Sequence, residues 1–324
     1  MALLARRRNR PSPALRNAVR GGAALAVAAA IVVPPLRKRL RMPAPATVAI
    51  SVVGPAGVAV LWPRTRARDV FIYALQMWGF VMAHEIPYDN PEALRHRLRI
   101  DYPIVADRAI GFGELPNTRL QRALANPEEP NALDRVLTAA HWAWFLVPHA
   151  TVAYILWRDD ERDASELRFP RAARQMAATY DLGCAAYHAL PTAPPWWAAE
   201  NGYLSEPVRR LMIDVGESVW GRAWPRLYDS FNGNPWAAFP SLHFGSSLMG
   251  AILLRETGPR AGAVGGAYAA VLGFALVYLG EHYVTDLAAG AALVAAVRIG
   301  EPLVEPVTAH MSAGLQALER IATS

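Results

Sequence analysis

Long apolar runs dominate the chain and leave it few ways to fold. Residues 20–33, 46–62, 69–84, 132–157, 171–190, 240–254, 261–280 and 286–300 are stretches of hydrophobic residues broken by few charges. Most approach the ~20 residues that an α-helix needs to cross a hydrocarbon core. In lipid only helices and closed barrels satisfy every backbone polar group, and these runs are continuous rather than alternating. The expected fold class is therefore an all-α integral membrane protein that crosses the bilayer several times. The run at 20–33 is short enough for a signal peptide, and Met1–Arg20 holds six arginines and no acid, yet Arg37, Lys38, Arg39 and Arg41 stand where a cleavage site should lie. A retained cytoplasmic N-terminus is expected.

Charge and cysteine content narrow the class further. The net charge is +6, but 32 Arg and the single Lys38 are scattered between the apolar runs rather than gathered on one soluble domain. Membrane topology and anionic lipid account for that distribution better than nucleic acid does. One cysteine, Cys184, excludes a disulfide framework.

Polar residues concentrate in two long stretches, Glu85–Asn131 and Pro191–Phe239, while the other connections are short and arginine-rich. Each crossing carries the chain to the opposite face. A helix from Pro240 leaves the face of Pro191–Phe239, the helix from Ala261 returns to it, and Glu281–Asp286 is brought back to the same face. The same count adds Glu85–Asn131 to that face, with Arg64, Arg66, Arg68, Arg158, Arg162, Arg168, Arg171 and Arg174 opposite. By the positive-inside rule the arginine side is cytoplasmic. Near the N-terminus two topologies stand: if both 20–33 and 46–62 cross, Arg37–Arg41 lies outside, and if one crosses, the N-terminus changes side.

Two motifs at helix boundaries carry the chemistry: Phe239-Pro240-Ser241-Leu242-His243 and Glu281-His282-Tyr283-Val284-Thr285-Asp286. On a helix His282 and Asp286, at i and i+4, share a face, so the carboxylate can hold one imidazole nitrogen and leave the other as nucleophile or base. Pro240 and Ser241 read as a helix start with Ser241 as N-cap, which puts His243 in a first turn whose N–H groups favour an anion such as phosphate. Gly245, Ser246 and Ser247 allow a close helix crossing. Two histidines, one carboxylate and an anion site suit phosphoryl transfer by double displacement, with His282 attacking phosphorus and His243 protonating the leaving oxygen.

Pro-Ser-Leu-His followed by His-Tyr-Val-Thr-Asp resembles the second and third motifs of the type 2 phosphatidic acid phosphatase (PAP2) superfamily. Within it, Pro191-Thr192-Ala193-Pro194-Pro195-Trp196-Trp197, Ala237–His243, Gly280–Tyr283 and the segment from Asp107-Arg108 through Gly113–Thr118 resemble the Aur1/Ipt1 inositolphosphotransferase branch. The resemblance spans roughly residues 70–300. It implies a six-helix PAP2-like transmembrane core with one or two extra N-terminal helices. A basic N-terminal region at 1–68, a catalytic membrane domain at 69–305 and a tail at 306–324 follow. It further implies His282 as nucleophile, Asp286 as its orienter, His243 as general acid, no metal or other cofactor, and lipid phosphoesters as substrates, with an alcohol acceptor if the reaction is a transfer.

The superfamily's Lys and Arg-Pro first motif is absent, and Ala275-Leu276 stands where Ser-Arg should precede His282. Other cations must hold the phosphate. The outer-face candidates are Arg95, Arg97, Arg99, Arg108, Arg119, Arg209, Arg210, Arg222 and Arg226, of which Arg108, Arg119, Arg209 and Arg210 are carried forward. Ser241 and Glu281, which flank the histidines, join the phosphate-binding set. Asp181, an acid inside an apolar run with His188 seven residues later, either lines the site or makes a structural pair. His141 and His149 lie about 12 Å apart by helical rise, too far to share one ion, so helix packing is the expectation for them. A proton-relaying transporter is the alternative from another class. It needs charge at depth, and only Asp181 is deep. The expected location is a plasma membrane, with the site on the extracytoplasmic face.

Overall fold

The computed structural model describes residues 11–159, 168–231 and 233–324. Arg6, Arg7, Arg8 and Arg10, and Arg162 of the arginine-rich face, lie outside them. Every regular element among the described residues is a helix. Extended pairing is confined to the isolated bridges Arg99–Thr192 and Thr192–Ala237. The chain forms two compact units, one running to Ala83 and including Glu301–Ser324, the other His84–Gly300.

The first unit contains α1 (Pro13–Val32), the short α2 (Arg37–Leu40), α3 (Ala44–Leu61) and most of α4 (Arg66–Glu85). Ser12 caps α1 by accepting the Leu15 N–H, and Pro13 follows at the first helical position, where its missing N–H costs nothing. α1 and α3 pack closely: a Cβ at Gly57 would lie 2.7 Å from the Ala23 carbonyl oxygen. Glu319 binds Arg64 and Arg68 at 3.0 and 3.1 Å.

The second unit begins with α5 (Pro91–Arg95), α6 (Asp101–Ile110) and α7 (Pro116–Leu124), all from the first polar stretch. α8 (Ala132–Ala143), α9 (Val147–Arg158) and α10 (Phe169–Ala189) follow. The second polar stretch holds α11 (Pro195–Glu200), α12 (Leu211–Trp220) and α13 (Trp224–Phe231), ahead of α14 (Leu242–Thr257), α15 (Pro259–Tyr278) and α16 (Val284–Thr323). α1, α3, α15 and α16 are long and apolar enough to cross a membrane. α16 alone has 40 residues, about 60 Å by helical rise and twice a hydrocarbon core. It runs through Pro302 and Pro306, well past the end of its apolar window.

The single helix expected over 132–157 is a pair. An Asn131/Asp134 capping box starts α8, which stops at Ala143, and the chain turns through Trp144–Leu146 before α9. Pro148 is the cause, because it has no N–H to offer the Trp144 carbonyl and its ring would collide with that turn. The two halves still follow α14 together. The His141 ring stacks near that of His243, Trp144 Nε1 donates to Ser246 Oγ at 2.8 Å, and Gly250 faces Thr151.

The start of α14 crosses the second turn of α16. A Cβ on Gly290 would lie 2.6 Å from the Ser241 carbonyl oxygen, and one on Gly245 would lie 3.3 Å from the Gly290 oxygen. Gly290→Ala should therefore push the two helix starts apart at a cost of about 1–3 kcal/mol. The expected result is a lower melting temperature in detergent and a matching loss of turnover. An unchanged melt would show that the crossing tolerates a methyl group.

Candidate active site

His243 sits where its local sequence directs. Ser241 caps α14 by accepting the Phe244 N–H at 3.3 Å. Tyr187 of α10 fastens the same turn, donating its hydroxyl to the Pro240 carbonyl at 3.0 Å and accepting the Leu242 N–H at 3.3 Å. Two of the first-turn N–H groups are thus occupied, which narrows the anion site expected there to the N–H of His243 itself. The His243 ring packs on Trp144 and His141, with centroids 4.1 and 5.0 Å away.

His282 lies in the turn between α15 and α16. Gly280 makes that turn possible, with φ of +81° and no room for a side chain, since a Cβ would meet the Arg209 carbonyl oxygen at 2.5 Å. Asn117 of α7 fixes the turn by donating to the carbonyls of Val277 and His282 at 2.7 and 3.0 Å. Asp107 of α6 accepts the N–H groups of Val284 and Thr285 and the Thr285 hydroxyl, at 2.7, 2.9 and 2.5 Å. A carboxylate at the start of α16 also meets the positive end of the helix dipole.

The two histidines, 39 residues apart in sequence, meet: His243 Nδ1 is 3.1 Å from His282 Nε2. His282 Nδ1 is 3.2 Å from Asp286 Oδ2, which also accepts the Tyr283 N–H at 2.9 Å. The Ser241 N–H donates to the Asp286 carbonyl at 2.9 Å, so the two motifs are joined through backbone as well. The proton positions follow from these partners. His282 Nδ1 faces a carboxylate and carries hydrogen, so Nε2 keeps its lone pair. The neighbour of Nε2 must then be a donor, and the hydrogen of His243 is on Nδ1. His282 is 3% exposed and Asp286 is fully enclosed.

Of the candidate cations, Arg210 is brought to this cluster. It donates to Glu281 at 2.8 and 3.3 Å, and its guanidinium lies over Trp196 and Tyr228 at 4.2 and 5.1 Å. Burial works to raise the Glu281 carboxyl. The guanidinium of Arg210, together with His141 and His282 nearby, prevails and holds it below the usual carboxylate range. Arg108, Arg119 and Arg209 serve the loops: Arg108 pairs with Glu206 at 3.0 Å, Arg119 donates to the Gly111 carbonyl at 2.6 Å and to Glu114, and Arg209 pairs with Asp214 at 2.6 Å. Asp181 is exposed on α10, whose buried side of Gly183, Cys184 and Tyr187 faces α14, so the structure does not bring it to the histidines.

His141, expected to pack between helices, packs on the His243 ring of α14. Asp107 and Asn117 stand in the segment that resembles the Aur1/Ipt1 branch but carried no assigned role, and Tyr187 escaped sequence reasoning because it reaches the site from α10. A cavity of about 530 Å³ lined by Leu98, Arg99, Ile100, Asp101, Tyr102, Leu190 and Phe239 opens beside the Phe239–His243 motif, with apolar walls suited to a chain and polar groups at Arg99 and Asp101. Among the described residues no group of three or more His, Cys, Asp or Glu side chains is placed to hold a metal ion.

Comparison with known proteins places the sequence around this cluster in a family. Over 118 residues the chain is 31% identical to the inositol phosphorylceramide synthase catalytic subunit aur1 of Schizosaccharomyces pombe, a match covering 32% of this chain and 26% of that protein. The chain thus spans about a quarter of that relative's length. No solved structure matches. The sequence model of the PAP2 superfamily matches residues 115–299, more than half of the chain and all three clustered residues, His243, His282 and Asp286. The chain belongs to the PAP2 superfamily, and that membership with the similarity to aur1 makes it an enzyme of the phosphatase and phosphotransferase kind.

Proposed function

We propose that this protein is a multi-pass membrane phosphotransferase that moves a phosphoryl-bearing headgroup between lipid-linked alcohols through a phosphohistidine. The observation that carries the proposal is the chain of contacts Asp286, His282, His243, with 3.2 and 3.1 Å between successive polar atoms. His282 Nε2 attacks the phosphorus of a lipid phosphoester. The bond from phosphorus to the leaving oxygen breaks as His243 Nδ1 delivers its proton there. His243 then takes a proton from the acceptor hydroxyl, whose oxygen attacks phosphorus and breaks the P–N bond, regenerating His282. The substrate must part the two imidazoles to reach Nε2.

An alcohol acceptor is favoured over water by the similarity to an inositol phosphorylceramide synthase subunit and by the burial of His282. Arg210, Ser241 and Glu281 border the phosphoryl position in this proposal. Arg108, Arg119 and Arg209 act on it only through the loops they hold, and Asp181 acts elsewhere. The six crossings are α4, α8 with α9, α10, α14, α15 and the first part of α16, preceded by α1 and α3. Residues 1–68, 69–305 and 306–324 then serve as basic N-terminal region, catalytic domain and tail. The catalytic side is extracytoplasmic, in a plasma membrane.

The test is an assay of the detergent-purified protein on radiolabelled lipid phosphoesters, with and without alcohol acceptors and in the presence of a chelator. Acceptor-dependent transfer that persists with chelator supports the proposal. Release of inorganic phosphate without acceptor identifies a phosphatase instead, and turnover that depends on a divalent ion overturns the mechanism.

A further inference from the structure

His141 is a buried polar group with no partner. It is 1% exposed, and neither ring nitrogen has a hydrogen-bond partner. A neutral imidazole always presents one N–H donor and one lone pair, so an apolar packing role leaves both unmet. Phenylalanine would fill the same place without that cost. The ring lies 5.0 Å from that of His243, inclined by 29°, and it is near Glu281 together with Arg210 and His282. His141 therefore stands beside His243, next to the point between His243 Nδ1 and His282 Nε2 that a phosphorus centre must enter. The Ser-Arg pair expected before His282, with its one cation, is absent, and Ala275-Leu276 stands in its place.

We propose that His141 is a phosphate-binding residue, donating its imidazole N–H to a non-bridging oxygen of the phosphoryl group held at His282. The assignment rests on the phosphohistidine mechanism above and adds a member to its site. Parting of His243 from His282 by the substrate uncovers His141, so its donor is satisfied only in the loaded enzyme. A donor whose hydrogen bond is made chiefly to the reacting group lowers the barrier more than it tightens substrate binding.

The experiment compares wild type with His141→Phe, which keeps a stacking ring and lacks both nitrogens, and His141→Gln, which keeps a donor. Turnover and inhibition by inorganic orthovanadate are measured on detergent-purified protein whose fold is checked by gel filtration and thermal melt. For His141→Phe the expected result is a kcat lower by roughly 100-fold, the loss typical of removing one donor from an anion site. KM for the lipid should change little, and vanadate inhibition should weaken. His141→Gln should recover at least tenfold of the lost kcat. If His141→Phe matches wild type in kcat and vanadate inhibition, the ring only packs and the proposal is overturned. If His141→Phe does not fold, His141→Met replaces it, and equal kcat in the Met and Gln variants overturns the proposal in the same way. His282→Ala, assayed alongside, separates the two levels. Wild-type turnover in that variant overturns the phosphohistidine mechanism, whereas loss there with wild-type behaviour in His141→Phe overturns the His141 assignment alone.

Discussion

His282→Ala should abolish measurable transfer, with turnover falling roughly 10⁴-fold or more, the scale seen when a covalent nucleophile is removed. His282 is the buried imidazole that combines a carboxylate on Nδ1 with a lone pair on Nε2 that is freed when substrate parts it from His243. His243 cannot substitute, because its Nδ1 carries the hydrogen that faces His282 Nε2 and so offers no lone pair there. Rapid acid-free quenching during turnover of a radiolabelled phosphoester should trap label on the wild-type chain in an alkali-stable, acid-labile form. The alanine variant should carry none. Turnover within tenfold of wild type, or equal labelling of the variant, would remove His282 from the nucleophile's role.

Asp286→Asn should be nearly as damaging while leaving the fold intact. One carboxylate oxygen accepts both the His282 Nδ1 hydrogen and the Tyr283 N–H. Asparagine keeps the size and removes the charge that favours the reactive tautomer and balances the positive imidazole formed on phosphorylation. Its amide NH₂ would have to take the place of Oδ1, which is enclosed and has no partner, or compete for the imidazole. A loss in kcat of roughly 10²–10⁴-fold is expected, in line with carboxylates that fix a catalytic imidazole. KM and melting temperature should stay close to wild type. A kcat within threefold of wild type would show that the carboxylate does not orient His282.

The reacting trio was legible because its signals are local. His282 and Asp286 are four residues apart, Ser241 marks a helix start, and counting crossings brings two boundaries 39 residues apart to one surface. The supports were not legible, because each belongs to another segment and follows no period. Asp107 opens a segment that resembles the Aur1/Ipt1 branch, but only the folded chain shows its carboxylate 177 residues away at the start of α16. His141 was weighed against His149 on its own apolar run, which tested the wrong pairing: its neighbour is on α14. The break after Ala143 carried a signal in Pro148, outweighed by the continuity of the apolar run around it.

Asp107 and Asn117 also bear on where the working unit begins. The stretch that matches the superfamily starts at residue 115 and keeps Asn117, but leaves Asp107 behind. A polypeptide trimmed to those limits would retain His243, His282 and Asp286 and strand the amides of Val284 and Thr285, at about 1–3 kcal/mol for each amide left unpaired in the interior. A stable fragment should therefore extend upstream at least to α6, which makes the polar segment ahead of the matched region a strut of the cluster rather than a leader to it.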